Sequence, residues 1–326
     1  MPSSTAARTA LILGACLFVA AGVAVALAAG LSSPAGAPAA GHAPATAVVS
    51  PATPAGQPAR SGQPARPGPS PSPEGVATPV PRPDPFPASA AAYLAGRAGV
   101  ASAAVYDVIT HQLWTIGPAR PQAEASVVKV DILETLLARD GTGGVLPGAD
   151  GALALSMIED SDNAAATDLW DAAGGAGGIR SFNAAAGLTD TAPSPCVQCA
   201  GFPWPGWGLT TTTPADQITL LRQIAQPGGL LTGTQRRYAA ALMENVTPSQ
   251  RWGVSGGVPP QATVALKNGW LPLNEAGTDW QINSVGWVSG LGRDYLMAVL
   301  TTGNPDEQYG IDTIGWLSAA VWQHLG

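Results

Sequence analysis

Lysine is almost missing from these 326 residues: of 15 basic residues, 13 are arginine, and only Lys129 and Lys267 remain. Histidine is nearly as scarce, confined to His42, His111 and His324, and cysteine occurs only at positions 16, 196 and 199. None of these clusters at ligand spacing, so no metal centre and no cofactor is expected. A Ser-His-Asp triad is equally poorly supplied. His111 falls in a predicted hairpin turn and His324 lies near the end of the sequence. Positive charge is short as well. Residues 88–326 carry 20 acidic and 11 basic side chains, a net charge of about −9. Phosphate backbones need a basic surface, so nucleic acid is excluded as a partner.

Large side chains are what residues 32–87 lack. The stretch is Pro, Ala, Gly and Ser with few bulky groups to bury, and it reads as a disordered, partly extended spacer. Ahead of it, residues 10–31 are apolar or Gly without a charge, after a short start carrying Arg8. Residues 1–31 therefore read as a secretory signal ending at Ala26-Leu27-Ala28, or as a retained membrane anchor. A lipoprotein reading uses Leu13-Gly14-Ala15-Cys16, although the apolar run continues well past Cys16. Each reading puts the rest of the chain outside the cytoplasm and limits membrane contact to the N-terminal segment. In that oxidising setting, Cys196 and Cys199, flanked by Pro and Gly, read as a small structural disulfide.

What remains, 88–326, is one domain's worth of chain. Residues 88–98 are helix-compatible, and 100–108 with 112–117 form a predicted hairpin with His111 near its turn. From Ser126 the apolar positions Val128, Ile132, Leu133, Leu136 and Leu137 recur at helical spacing, with Gly141 as a stop. Further helices are predicted over 152–160, 164–172, 178–186, 214–225 and 234–245. The long stretch 189–213 holds both paired cysteines, Trp204 and Trp207, and reads as a loop. Apolar runs at 262–271, 280–288 and 295–302 predict three strands, and 309–325 a closing helix. Two strands early and three late predict an α/β (α+β) fold. It has one five-stranded antiparallel sheet (88–117 and 262–326), flanking terminal helices and an all-helical lobe (118–261), with a cleft between the lobes.

The two lysines sit inside motifs. Lysine, unlike arginine, can lose its proton when desolvated. In Ser126-Val127-Val128-Lys129 the amine stands one helical turn after the hydroxyl, so it can serve as base to a serine nucleophile at a helix start. In Ser161-Asp162-Asn163, Ser161 can relay a proton to a leaving group and Asn163 can bind a substrate amide, while Asp162 holds the loop. In Lys267-Asn268-Gly269, a strand lysine facing a cleft can hold a carboxylate, and glycine lets substrate approach the backbone. Each motif alone has an ordinary reading: a capping Ser, an N-cap triplet, a strand Lys before a turn. Gly253-Val254-Ser255-Gly256-Gly257 matches a nucleophile elbow, but Pro259-Pro260 forbid the helix that must follow.

S-x-x-K, S-D-N and K-x-G in that order resemble the class A β-lactamases and penicillin-recognising serine hydrolases. The resemblance covers nearly all of 88–326 and implies a serine hydrolase acylated by β-lactams or related amides, which it then hydrolyses. The alternatives are a slow-turnover penicillin binder or peptidoglycan peptidase, and a catalytically retired domain that binds cell wall or a partner. The resemblance assigns catalytic roles to Ser126, Lys129, Ser161 and Lys267, and substrate contacts to Asn163, Asn268, Gly269, Trp270 and Arg251. The N–H groups of Ser126 and Trp270 would form an oxyanion hole. The implied partner is a small β-lactam or a peptidoglycan-like peptide. Two departures stand out. Asn268 replaces the family's usual Thr or Ser, and no Glu lies between Asn163 and Thr213, where the family keeps the base for deacylation.

Overall fold

The computed structural model describes residues 80–326, apart from 141–143, 198 and 200–205. The leader, nearly all of the spacer and Trp204 lie outside the described residues. Five strands, β1 (Val100–Asp107), β2 (Leu113–Ile116), β5 (Thr263–Pro272), β6 (Trp280–Gly290) and β7 (Arg293–Asn304), form one antiparallel sheet ordered β2-β1-β7-β6-β5. Two further strands, β3 (Gln122–Ala123) and β4 (Thr211–Thr212), pair separately. Their two-residue length leaves no periodicity to read, which is why the sequence did not announce them.

Alternation along the strands divides the core in two. Val264, Leu266 and Ile282 face a cluster with Phe86, Ile314, Leu317 and Val321, under the terminal helices α1 (Ala88–Ala95) and α8 (Glu307–His324). Ala265, Val285 and Leu296 face the opposite cluster, which joins the sheet to the helical lobe. Phe86 is already core, and Arg82 pairs with the buried Asp107 at 3.1 Å, so the packed domain begins ahead of the boundary expected at 88.

The lobe holds α2 (Val128–Asp140), α3 (Gly148–Glu159), α4 (Asn163–Ala172), α5 (Gly175–Ala186), α6 (Pro214–Ala225) and α7 (Gly233–Glu244). Their starts follow capping chemistry. Asp162 accepts from Ala165 N, Thr213 precedes Pro214 and accepts from Asp216 N, and Thr232 with Gln235 forms a reciprocal capping box. Asp162 therefore holds the loop that carries Ser161 and Asn163. Apolar faces on α2, α4 and α6 bury Ile132, Leu169 and Leu220 completely, and this packing fixes where the ends of α2 and α4 point.

Candidate active site

The chain reaches Ser126 through β3, whose pairing with β4 tethers the end of the 189–213 stretch beside it. Ser126 lies in a 3-10 turn, Ala125–Val127, that leads directly into α2. Ala125, immediately before it, has φ of 50°, a left-handed backbone that a non-glycine residue adopts at a cost. Neighbouring strands hold this turn. Asn283 Nδ2 on β6 donates to the carbonyls of Ala123 (2.8 Å) and Glu124 (2.9 Å). Its cross-strand partner is Gly269. A β-carbon at 269 would stand 2.7 Å from Ser126 N and 2.9 Å from both Val127 N and Glu124 O. Glycine is thus required by close approach of the backbone to the Ser126 turn.

Ser161 is the hub. It sits between α3 and α4 with φ of 58°, a second left-handed non-glycine residue. Lys129 Nζ donates to Ser161 O at 2.6 Å and to Asn163 Oδ1 at 2.7 Å, and lies 3.0 Å from Ser161 Oγ. Lys267 Nζ lies 2.9 Å from the same hydroxyl and 2.9 Å from Asn268 O. Both lysines are fully buried. Neither has a carboxylate within ion-pair distance among the described residues, where the one salt bridge is that of Arg82. Burial lowers the pKa of Lys129 to about 7, with the Asp162 charge pulling the other way. Burial lowers that of Lys267 well below the ordinary lysine range, and the Lys129 charge adds to the fall. Near neutral pH, amines in this site can accept protons.

Ser126 is half-buried and opens on a small cleft of about 40 Å³, lined by Ala125, Ser126, Asn163, Trp207, Gly208, Trp270 and Leu271. Among the described residues Ser126 Oγ makes no hydrogen bond. The Lys129 amine is turned to Ser161 and Asn163, so the Ser126–Lys129 contact expected from the one-turn spacing is not formed. A Gly/Pro-rich loop could expose Trp207 to a sugar or peptide, yet the side chain is packed into the core and only 3% exposed. Its indole N–H donates to Thr167 Oγ1 (3.2 Å), and its ring centre lies 5.1 Å from Lys129 Nζ.

Thus Lys129, Ser161, Asn163 and Lys267 converge, while Ser126, Asn163 and Trp270 share the cleft. Two residues stand apart. The Asn268 side chain projects from the opposite face of β5 to Lys267, and its Nδ2 donates to Gln250 O (2.6 Å) and Trp252 O (3.1 Å). Alternation along the strand puts it there. Arg251 is exposed and donates to Glu244 O (2.6 Å) and Val264 O (3.2 Å), tying α7 to the start of β5. Cys196 and Cys199 are bonded to each other.

A model of the beta-lactamase enzyme family matches residues 151–325. Among curated proteins, "Putative lipoprotein LppW" of Mycobacterium tuberculosis is 30% identical over 206 residues, 61% of this chain and 62% of its own length. The chain therefore spans less than two thirds of the curated relatives it matches. A beta-lactamase from Xanthomonas campestris superposes with a TM-score of 0.61 at 20% identity, over 73% of this chain and 97% of that one. PBP-A superposes with a TM-score of 0.60 at 21% identity, over 72% and 93%, and a variant of it has been solved as an acyl-enzyme complex with penicillin G. On this match and this fold, the chain belongs to the beta-lactamase enzyme family.

Proposed function

We propose that the chain is an exported serine acyl-transfer enzyme, acylated at Ser126 by β-lactams or by related wall-peptide amides outside the membrane. The observation that carries this is the desolvation of both lysines in an otherwise Arg-only chain, converging on Ser161 beside the cleft that holds Ser126.

Substrate entering the cleft draws Ser126 Oγ to Lys129, a contact of the kind that tightens only in the bound complex. The neutral amine takes the hydroxyl proton while Oγ bonds to the substrate carbonyl carbon. Ser161 then hands a proton to the leaving nitrogen as the C–N bond breaks and regains one from the Lys129 ammonium 3.0 Å away, with Lys267 steering charge at the same hydroxyl. The carbonyl oxygen collects its charge against backbone N–H groups at the Ser126 turn and at Trp270. Asn163, fixed by Lys129, presents its amide to the substrate.

The apolar run at 10–31 supports export, and the lipoprotein description of the mycobacterial relatives supports anchoring through Cys16. The enzymatic reading is tested by a fluorescent penicillin followed for label and for hydrolysed product together. Label on the wild-type domain and none on Ser126→Ala is the expected result. Equal labelling of the two, or none of a folded wild type, overturns it.

A further inference from the structure

Hydrolysis of an acylated Ser126 needs a water beside the ester and a base to take its proton. The lining of the cleft offers one polar side chain besides Ser126, the amide of Asn163, and no carboxylate. The chain from 196 to 209 contains no acidic residue at all. The base bonded to the Asn163 amide is Lys129. Ser161 O, Ser161 Oγ and Asn163 Oδ1 surround its nitrogen, and the Trp207 ring lies 5.1 Å away, within the range of a cation–π contact.

Trp207 is locked in that position from two sides. Its N–H is bound to Thr167 Oγ1, which in turn donates to Asn163 O at 3.0 Å. The preceding Gly206 donates to Cys196 O at 2.7 Å, and a β-carbon there would meet Cys199 Sγ at 2.5 Å, so the disulfide seats directly against the residue before Trp207.

We infer that the Trp207 ring closes Lys129 off from a hydrolytic water, so that the acyl-enzyme accumulates and the domain acts as a slow-release acyl binder. The inference rests on acylation at Ser126 as proposed above. Acylation forms the Oγ–acyl bond, breaks the amide C–N bond and delivers the serine proton to the leaving nitrogen. Deacylation would form a water-oxygen–acyl bond and break the Oγ–acyl bond, with one water proton passing through a base to Ser126 Oγ. That base is what the ring withholds, and a positioned base is worth about 10²–10⁴ in rate.

Intact-mass spectrometry of the protein mixed with penicillin G measures formation and loss of the adduct separately, for wild type, Trp207→Phe and Trp207→Ala, with thermal melts to show that each is folded. Expected are a wild-type adduct lost at least about 10²-fold more slowly than it forms, a Trp207→Phe adduct equally persistent, and a Trp207→Ala adduct lost at least about tenfold faster, rising with pH as Lys129 becomes neutral. Thr167→Val, which frees the ring without removing it, is expected to fall between. A wild-type adduct released as fast as it forms overturns this inference and leaves acylation standing, as does a Trp207→Ala adduct of unchanged lifetime in a folded protein. Absence of any adduct while the penicillin stays intact overturns both.

Discussion

Lys129 and Lys267, the two lysines of the chain, meet at one oxygen: the Ser161 hydroxyl lies 3.0 Å from the first amine and 2.9 Å from the second. Two buried cations sharing one neutral hydroxyl repel each other, and desolvation penalises both. At least one must therefore be neutral over much of the physiological range. The arrangement is costly for stability and useful for moving protons, because it keeps a strong base unprotonated near neutral pH.

This gives a pH profile. Lys129 loses its proton as pH rises through about 7, so the rate of penicillin labelling should climb across that point and level off above it. The Asp162 charge holds the Lys129 proton on, so Asp162→Asn, which can still cap α4, should move the midpoint to lower pH. A flat profile, or a midpoint that moves upward in the variant, would remove Lys129 from the role of base.

A second set of buried groups has the opposite pH sign. Glu124, Asp131 and Glu134 are completely buried. Both carboxyl oxygens of Glu124 and of Glu134, and Oδ1 of Asp131, lack a hydrogen-bond partner among the described residues, while Asp131 Oδ2 accepts from Asn183. Burial raises the pKa of Asp131 to about 7 and those of Glu124 and Glu134 well above the carboxylate range, with the Asp131 charge adding to each. The native state therefore keeps protons that the unfolded chain releases from about pH 4 upward. Stability falls as pH rises from there, through about 7 for Asp131 and beyond it for the two glutamates. The lysines act the other way, adding stability between about 7 and the ordinary lysine range. Urea midpoints should drop from pH 5 to pH 7. Glu134→Gln should flatten that slope and stabilise the protein by about 1–2 kcal/mol at pH 8. An unchanged slope in the variant would mean that Glu134 is already ionised in the native state.

Gly269 gives a geometric prediction. A methyl group there meets the backbone of Glu124, Ser126 and Val127 at 2.7–2.9 Å, and backbone cannot rotate aside as a side chain can. Gly269→Ala should displace the Ser126 turn and slow acylation by about 10²-fold, the scale that a misplacement of an ångström costs. It should also lower stability by about 1–3 kcal/mol. Asn283→Ala should act in the same direction by releasing the carbonyls of Ala123 and Glu124. Labelling at the wild-type rate in Gly269→Ala would show that the turn has room that the packing does not provide.

Most of the fold was legible because its signals are local. The helix at 214–225 is announced by Thr213 and Pro214, and the strands of the final hairpin by apolar runs on either side of a Gly-rich turn. The convergence of Lys129, Ser161, Asn163 and Lys267 was expected from the order of the three motifs and the family they resemble, while the Ser126–Lys129 contact read from spacing is not formed. What escaped depends on side-chain direction and long-range contact. Asn268 neighbours Lys267 in sequence, yet strand alternation sends it to the opposite face, toward Gln250 and Trp252. Arg251 carries the charge a substrate carboxylate would want but spends it on two main-chain carbonyls. Trp207 reaches Lys129 through contacts remote in sequence, its bond to Thr167 and the β3–β4 pairing beside it, and strands of two residues leave no pattern to find. The buried carboxylates were invisible for the same reason: nothing in Glu124 or Glu134 as letters says that a core will close over them.

The most direct measurement is to treat the purified domain with one equivalent of penicillin G, weigh the intact protein and locate the adduct by peptide mapping. The expected result is one added penicillin per chain on the Ser126 peptide, absent from Lys129→Ala under the same conditions. A folded protein that gains no mass while the penicillin stays unhydrolysed, or one that carries the adduct on any other residue, would contradict acylation at Ser126.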